Sequence, residues 1–396
     1  MATTLSCPTL PRFATVLILG LFLLPFQACA YDVLCRDGNT SFEAHSAGVA
    51  VDVGPPINGK LAGRSCRAIL SWEDQELVVA RDAAEIDLDM FGVDLGTGHL
   101  VVAFQIKKTA SDCCMTYKIY SLEKPPQLLR TLHGGSSFNG ADTNLNGQVE
   151  IWTDDAAVVD GFEGLRASQF QFPPTCVLRF DHDRLIDVSS EFQFYFDKEI
   201  AQLRAEIHSQ DLERFKLGAD KLKAPSAKAD VSAPLLVVKE EILQLVWAYL
   251  YSNREKQAWQ TLSDMWPASD LPRIRSAIVG MRTRGIRAQV DDVSTALPPL
   301  ETDIQHSKTY DSTSKAARPI MVRFYSSPEV GILRGKLRVD LMIDCAGKVW
   351  SVKVSGRNKA AFDSVKRSTS NWKFIPALVD DHPVASRLRM SISVEQ

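Results

Sequence analysis

SNWKFIPALVDDHPVASRLRMSISVEQ (Ser370–Gln396) ends in a clear alternation. Val384, Leu388, Met390, Ile392 and Val394 fall on one face, and Arg387, Arg389, Ser391 and Ser393 on the other. Successive side chains of an extended chain point to opposite sides, so this pattern predicts a half-buried strand. Upstream, GKLRVDLMIDCAGKVWSVKVSG (Gly335–Gly356) alternates again through Leu337, Val339, Leu341 and Ile343. It turns at Asp344-Cys345-Ala346-Gly347 and resumes with Val349, Trp350, Val352 and Val354, the pattern of a β-hairpin. Between hairpin and last strand, NKAAFDSVKRSTSNW spaces Phe362, Val365 and Trp372 for one helical face. The order β-β-α-β predicts one helix packed on a small antiparallel sheet, an α+β domain over residues 319–396.

These residues resemble the C-terminal domain of the TonB energy-transducer family. The marks are Gly335 opening the hairpin, the turn Ile343-Asp344-x-x-Gly347-Lys348-Val349, and a helix that is hydrophobic and then basic. The strongest is Trp372-Lys373-Phe374-Ile375-Pro376-Ala377, similar to the family's W-[KR]-F-x-P-A. The resemblance covers roughly a fifth of the chain. It implies a domain that binds an extended segment of an outer-membrane or envelope protein by strand addition. A strand edge offers unpaired N–H and C=O groups, and alternate side chains select the guest. The candidate edge is Ser386, Leu388, Met390, Ile392 and Val394. The plainer alternative is an internal strand, or one that self-pairs in a homodimer. The chain departs from the family in lacking a long Pro-rich spacer and in carrying over 250 residues of globular sequence before the domain.

A chain of 396 residues exceeds one comfortable hydrophobic core, so two or three domains are expected. Its net charge of −3 implies no general attraction to nucleic acid. The charge is uneven: from Arg318 to Gln396 there are 14 basic and 7 acidic residues, against 31 and 41 in the remainder. A basic tail on an acidic body suggests separate modules.

Residues 1–30 have the layout of a secretory signal peptide. Arg12 precedes the apolar run Phe13–Phe26, and Ala28-Cys29-Ala30 forms a small-x-small site with cleavage before Tyr31. As a helix the 14 uncharged residues span about 21 Å, short of a hydrocarbon core of roughly 30 Å. A periplasmic protein is expected. The alternative is an inner-membrane protein held by an uncleaved N-terminal helix, which would make it a transducer. Export makes disulfides the expected state of Cys35, Cys66, Cys113, Cys114, Cys176 and Cys345. Adjacent Cys113 and Cys114 are expected to find separate partners. Five of the six lie before residue 180, so either Cys345 crosses to the first module or at least one thiol in each region stays free, and the connectivity stays open.

Residues 31–190 predict an all-β antiparallel domain: ELVVA, EIDLDMFGVDL, HLVVAFQI, CMTYKIYSL, VEIWTD and CVLRF are separated by turn signals such as Gly96-Thr97-Gly98 and Asn146-Gly147. Such a meander suits a sandwich or a sheet related to propeller blades. A helix is expected over 191–217, a linker over 218–236, an α-helical hairpin region over 237–291 with Asp270 as an N-cap, and a second linker over 292–318.

Chemistry is sparse. Asp142, Asn144, Asn146 and Gly147 match the start of a D-x-[DN]-x-[DN]-G calcium loop, with Glu150 or Asp154 as a further ligand. An Asn-Gly hairpin turn without metal explains the same residues. His182 between Asp181 and Asp183 reads as a hairpin turn, and no nucleophile, Walker or dinucleotide motif is present. The expected protein is therefore a non-catalytic envelope adaptor. A transducer, or an envelope enzyme with its site in the β domain, are the alternatives.

Overall fold

The computed structural model of the chain describes residues 34–38, 41–56, 65–218, 229–296, 308–311, 319–323, 335–356 and 362–394. The expected signal peptide lies outside the described residues. The architecture is mixed α+β with mostly antiparallel sheets.

Three four-stranded antiparallel meanders follow one another. The first runs Phe42–Ser46, Val49–Gly54, Cys66–Trp72 and Gln75–Ala83. The second runs Glu85–Asp94, Leu100–Lys107, Met115–Ser121 and Leu128–Gly135, with Cys35–Arg36 added beside Glu85–Asp94. The third runs Phe138–Ala141, Glu150–Asp154, Thr175–Asp181 and Arg184–Asp187. Residues Asp181 and Arg184 pair across the last of these turns, so His182 stands at a hairpin tip with φ +60°.

The middle sheet explains why LVVAF (Leu100–Phe104) is apolar without a break. Val102, Phe104 and Ile106 join Val51, Val53, Leu70 and Val79 of the first meander in one core. Val101 and Ala103 point the other way, into a core shared with Phe138, Ile151 and Leu178 of the third meander and with the helices. A strand buried on both faces loses the polar half of its alternation.

Two disulfides are present among the described residues. Cys35–Cys66 is fully buried and ties the strand beside the second meander to the first. Closing a loop with a sequence separation of 31 is worth about 4 kcal/mol on the chain-entropy model. Cys113 bonds to Cys114, contrary to the expectation of separate partners. Cys176 and Cys345 are free thiols, one in each region, which is the alternative to a bridge from Cys345 into the first module. The physical reason is placement: both thiols are sealed in the core, whereas the Cys113–Cys114 pair occupies a hairpin tip.

Helices Gln193–Glu206, Ser209–Gly218, Ala229–Tyr251, Glu255–Met265 and Leu271–Arg282 pack on the third meander. The Tyr251 hydroxyl donates to the buried Asp155 carboxylate (2.5 Å), which also accepts from the Ile286 amide (2.8 Å). Two segments expected as linkers take part in the fold. Helix starts at Ala229, within the stretch 218–236. Asp292–Val293 and Tyr310–Asp311 become strands, pairing with Ile186–Asp187 and Ser386–Arg387. Asp270 precedes its helix, yet its carboxylate meets Trp266 Nε1 (3.0 Å) and Arg273 instead of capping an amide. Among the described residues no helix is long and apolar enough to cross a membrane.

The C-terminal sheet has the order Tyr310–Asp311, Ser386–Val394, Gly335–Ile343, Val349–Gly356. Helix Phe362–Thr369 covers one face, where Val365 and Trp372 are buried with Leu337, Val339 and Leu341.

Candidate docking site

The last strand pairs along its whole length with Gly335–Ile343, from Ile343↔Ser386 to Gly335↔Val394. Its opposite edge is covered at Ser386 and Arg387 by Tyr310 and Asp311. From Leu388 to Val394 no other strand pairs with that edge among the described residues. Of the expected docking residues, Ser386 is therefore inside the sheet and 2% exposed. Leu388, Met390 and Ile392 pack half-buried against the domain core. Arg387 and Arg389 on the open face approach Asp340 at 3.7 and 3.5 Å.

The calcium-like loop joins Phe138–Ala141 to Glu150–Asp154. Its oxygens are turned to its own amides. Asp142 accepts from the N–H groups of Asn146 and Gly147, both at 2.9 Å. Asn144 Oδ1 accepts from Asn146 N (3.2 Å), and Asn146 Oδ1 from Gln148 N (2.8 Å). Glu150 accepts from Thr143 N (3.2 Å). Both oxygens of Asp142 are thus engaged, and burial pushes the Glu150 carboxyl up to about 7. These residues do not fit a calcium ion, which needs several free, ionised oxygens. Among the described residues no group of three or more His, Cys, Asp or Glu is arranged to hold a metal. The turn explanation of the motif accounts for the geometry.

Instead of an ion, the loop receives the tip of the C-terminal hairpin. Asp142 N donates to Asp344 Oδ2 (2.9 Å), and the Cys345 thiol donates to Asp142 Oδ2 (3.4 Å). Trp350 Nε1 donates to the Thr143 carbonyl (3.3 Å). Asp344 also accepts from Ala346 N (3.0 Å) and Lys348 N (2.8 Å), which shapes the tip. The two motifs singled out in the sequence therefore meet each other.

Beside them lies a buried ionic clasp. Asp87 and Asp89 lie two apart on Glu85–Asp94, on either side of Leu88 where the register shifts, and both are buried. Lys373 Nζ bonds to Asp87 (2.8 Å) and to the Leu88 carbonyl (2.7 Å). Lys348 Nζ bonds to Asp89, whose other oxygen accepts from the Tyr117 hydroxyl (2.6 Å) and Gly140 N (2.8 Å). Burial pulls the Lys373 ammonium below the usual lysine range, and Asp87 opposes the shift. Sequence reading missed this clasp. The available signal was EIDLDMF, in which two carboxylates interrupt a strand otherwise apolar enough to be core.

The clasp's neighbourhood has a pH consequence. Burial also raises Asp344 to about 7. A carboxyl whose folded pKa lies above its unfolded value resists ionisation in the fold, so stability is highest below pH ~4.5 and falls as pH rises toward 7. For Glu150, fully buried, the effect is on the order of 3 kcal/mol. Urea midpoints at pH 5 and pH 8 are expected to differ less in Glu150→Gln than in the native chain. An unchanged difference would remove Glu150 as its source.

No family model, curated protein or solved structure matches this chain.

Proposed function

We propose that the protein is an exported, non-catalytic adaptor of the bacterial envelope. Its TonB-like C-terminal domain docks an extended segment of an outer-membrane or envelope protein by strand addition. The observation that carries this reading is the outer edge of Leu388–Val394, which no strand covers among the described residues. A guest strand there would complete the backbone hydrogen bonding and lie beside Arg389 and Ser391, both exposed. The resemblance of the tail to TonB-type domains supports the same partner class.

The clasp supports an adaptor over a transducer. A domain that reaches across the periplasm on a spacer must move freely. Here Lys373 and the Asp344 tip are buried against the β meanders and Lys348 is partly buried there, which favours a fixed presentation. The test is photo-crosslinking in the native envelope from p-benzoylphenylalanine placed at Ser391, with Lys353 on the far strand as control. One envelope protein is expected to crosslink from position 391 and not from 353. Crosslinks only to a second copy of the chain, or equal yields from both positions, would refute strand addition to a partner. N-terminal sequencing of the mature chain is expected to begin at Tyr31.

A further inference from the structure

The six cysteines of the described residues divide into three chemical situations. Cys35 and Cys66 are bridged and fully buried. Cys176 and Cys345 are thiols in the core. Cys113 and Cys114 are bridged to each other at the tip of the hairpin joining Leu100–Lys107 to Met115–Ser121, with Cys113 exposed and Cys114 half-buried.

The last bridge has no structural job of the usual kind. A disulfide stabilises by closing a loop in the unfolded chain, and a bond between neighbours closes none. The tip is shaped without it. Asp112 accepts from the Thr109 amide (2.8 Å) and hydroxyl (2.7 Å), and Asp112 N donates to the Thr109 carbonyl (3.2 Å). The strands below are registered by their own ladder, with Ile106 opposite Thr116. Lys107 and Lys108 flank the tip, and their charges reach Asp112 in the same turn, adding to the larger effect of its Thr109 bonds on that carboxyl. Cys113 is exposed at this tip, and exposed bridges are the ones that exchange.

We propose that Cys113–Cys114 is a thiol–disulfide exchange site whose substrate is a dithiol. A thiolate of the dithiol attacks the exposed Cys113 sulfur, forming a mixed disulfide and releasing Cys114 as thiolate, which takes up a proton. The second thiol of the reductant then attacks the mixed disulfide, leaves as a cyclic or protein disulfide, and frees Cys113. The pair gains two electrons and two protons, and the dithiol loses the same. This inference does not depend on strand addition at the tail.

The test uses the full mature chain with dithiothreitol as the dithiol. After brief treatment with a few equivalents, alkylation and peptide mass mapping are expected to place two new thiols at Cys113 and Cys114. Cys35–Cys66 should remain intact, and Tm should move by less than about 2 °C. The double variant Cys113→Ser/Cys114→Ser is expected to fold with the same Tm and to yield no new thiol under that treatment. Two results would overturn the proposal. One is alkylation of both residues before any reductant is added. The other is release of the pair only under conditions that also break Cys35–Cys66 and unfold the chain.

Discussion

Lys373→Met is expected to lower folding stability by about 3–5 kcal/mol, read from urea unfolding at pH 7. Methionine keeps most of the length and apolar character of the lysine stem, so the volume filled at position 373 is nearly preserved. What is lost is the ammonium that faces Asp87 at 2.8 Å and the Leu88 carbonyl at 2.7 Å. Asp87 is 2% exposed, and its charge then sits in the protein without the cation opposite it. Removing one member of a buried pair is far more costly than removing both, because the remaining charge keeps its desolvation cost. The double variant Asp87→Asn/Lys373→Met should therefore recover a large part of the loss, with a coupling energy above about 1 kcal/mol. Additive single effects would show that Lys373 acts through packing and not through charge. The same data report on domain association, because Asp87 belongs to the β meanders and Lys373 to the C-terminal domain. A destabilised clasp should make the tail more sensitive to proteolysis than the Cys35–Cys66 region.

Much of the fold was legible where one residue pattern had one physical cause. The C-terminal hairpin, its helix and the closing strand follow from alternation and from the 3.6 period, and the three helices between Glu240 and Arg282 follow from theirs. The β domain was legible as strands only in part: six runs fall on strands, while Phe42–Ser46, Val49–Gly54, Cys66–Trp72 and Leu128–Gly135 carry no run among them. The three meanders were not legible, because a sheet covered on both faces hides its alternation; Val101 to Phe104 look the same whichever core they enter. Strands of two residues, such as Asp292–Val293 and Tyr310–Asp311, carry no period and read as linker. The site was half legible. The turn chemistry of Asp142–Gly147 was visible, yet its occupant was not, since an Asp that accepts amides and an Asp that binds calcium are spelled alike. Lys348 and Lys373 stood inside the recognised motifs, but their partners lie 259 and 286 residues away, and single-sequence reasoning has no route across that distance. The cysteines illustrate the same limit: pairing depends on which tips and cores the chain brings together, not on spacing.

Gly347→Ala tests the hairpin tip on which the two regions meet. Gly347 has φ +77°, a conformation that costs an L-residue roughly 1 kcal/mol or more. The larger penalty is contact. A Cβ at this position would lie 1.9 Å from the Phe374 carbonyl oxygen and 3.0 Å from its carbon. These are backbone atoms, so no side-chain rotation relieves the clash. The Gly347 carbonyl also accepts from Phe374 N at 2.9 Å, and displacing either strand breaks that bond. Moving Phe374 would in turn shift Lys373, which is fixed to Asp87, and Ile375, which packs in the core between the first two meanders. The substitution should therefore cost more than about 3 kcal/mol and register in both regions at once. Hydrogen exchange is the discriminating measurement. Faster exchange is expected at the Asp142–Gly147 loop amides, which Asp142 holds, as well as in the strand Lys373–Ile375. Acceleration confined to the C-terminal domain would mean that the tip merely rests on the loop and that the β meanders hold their shape without it.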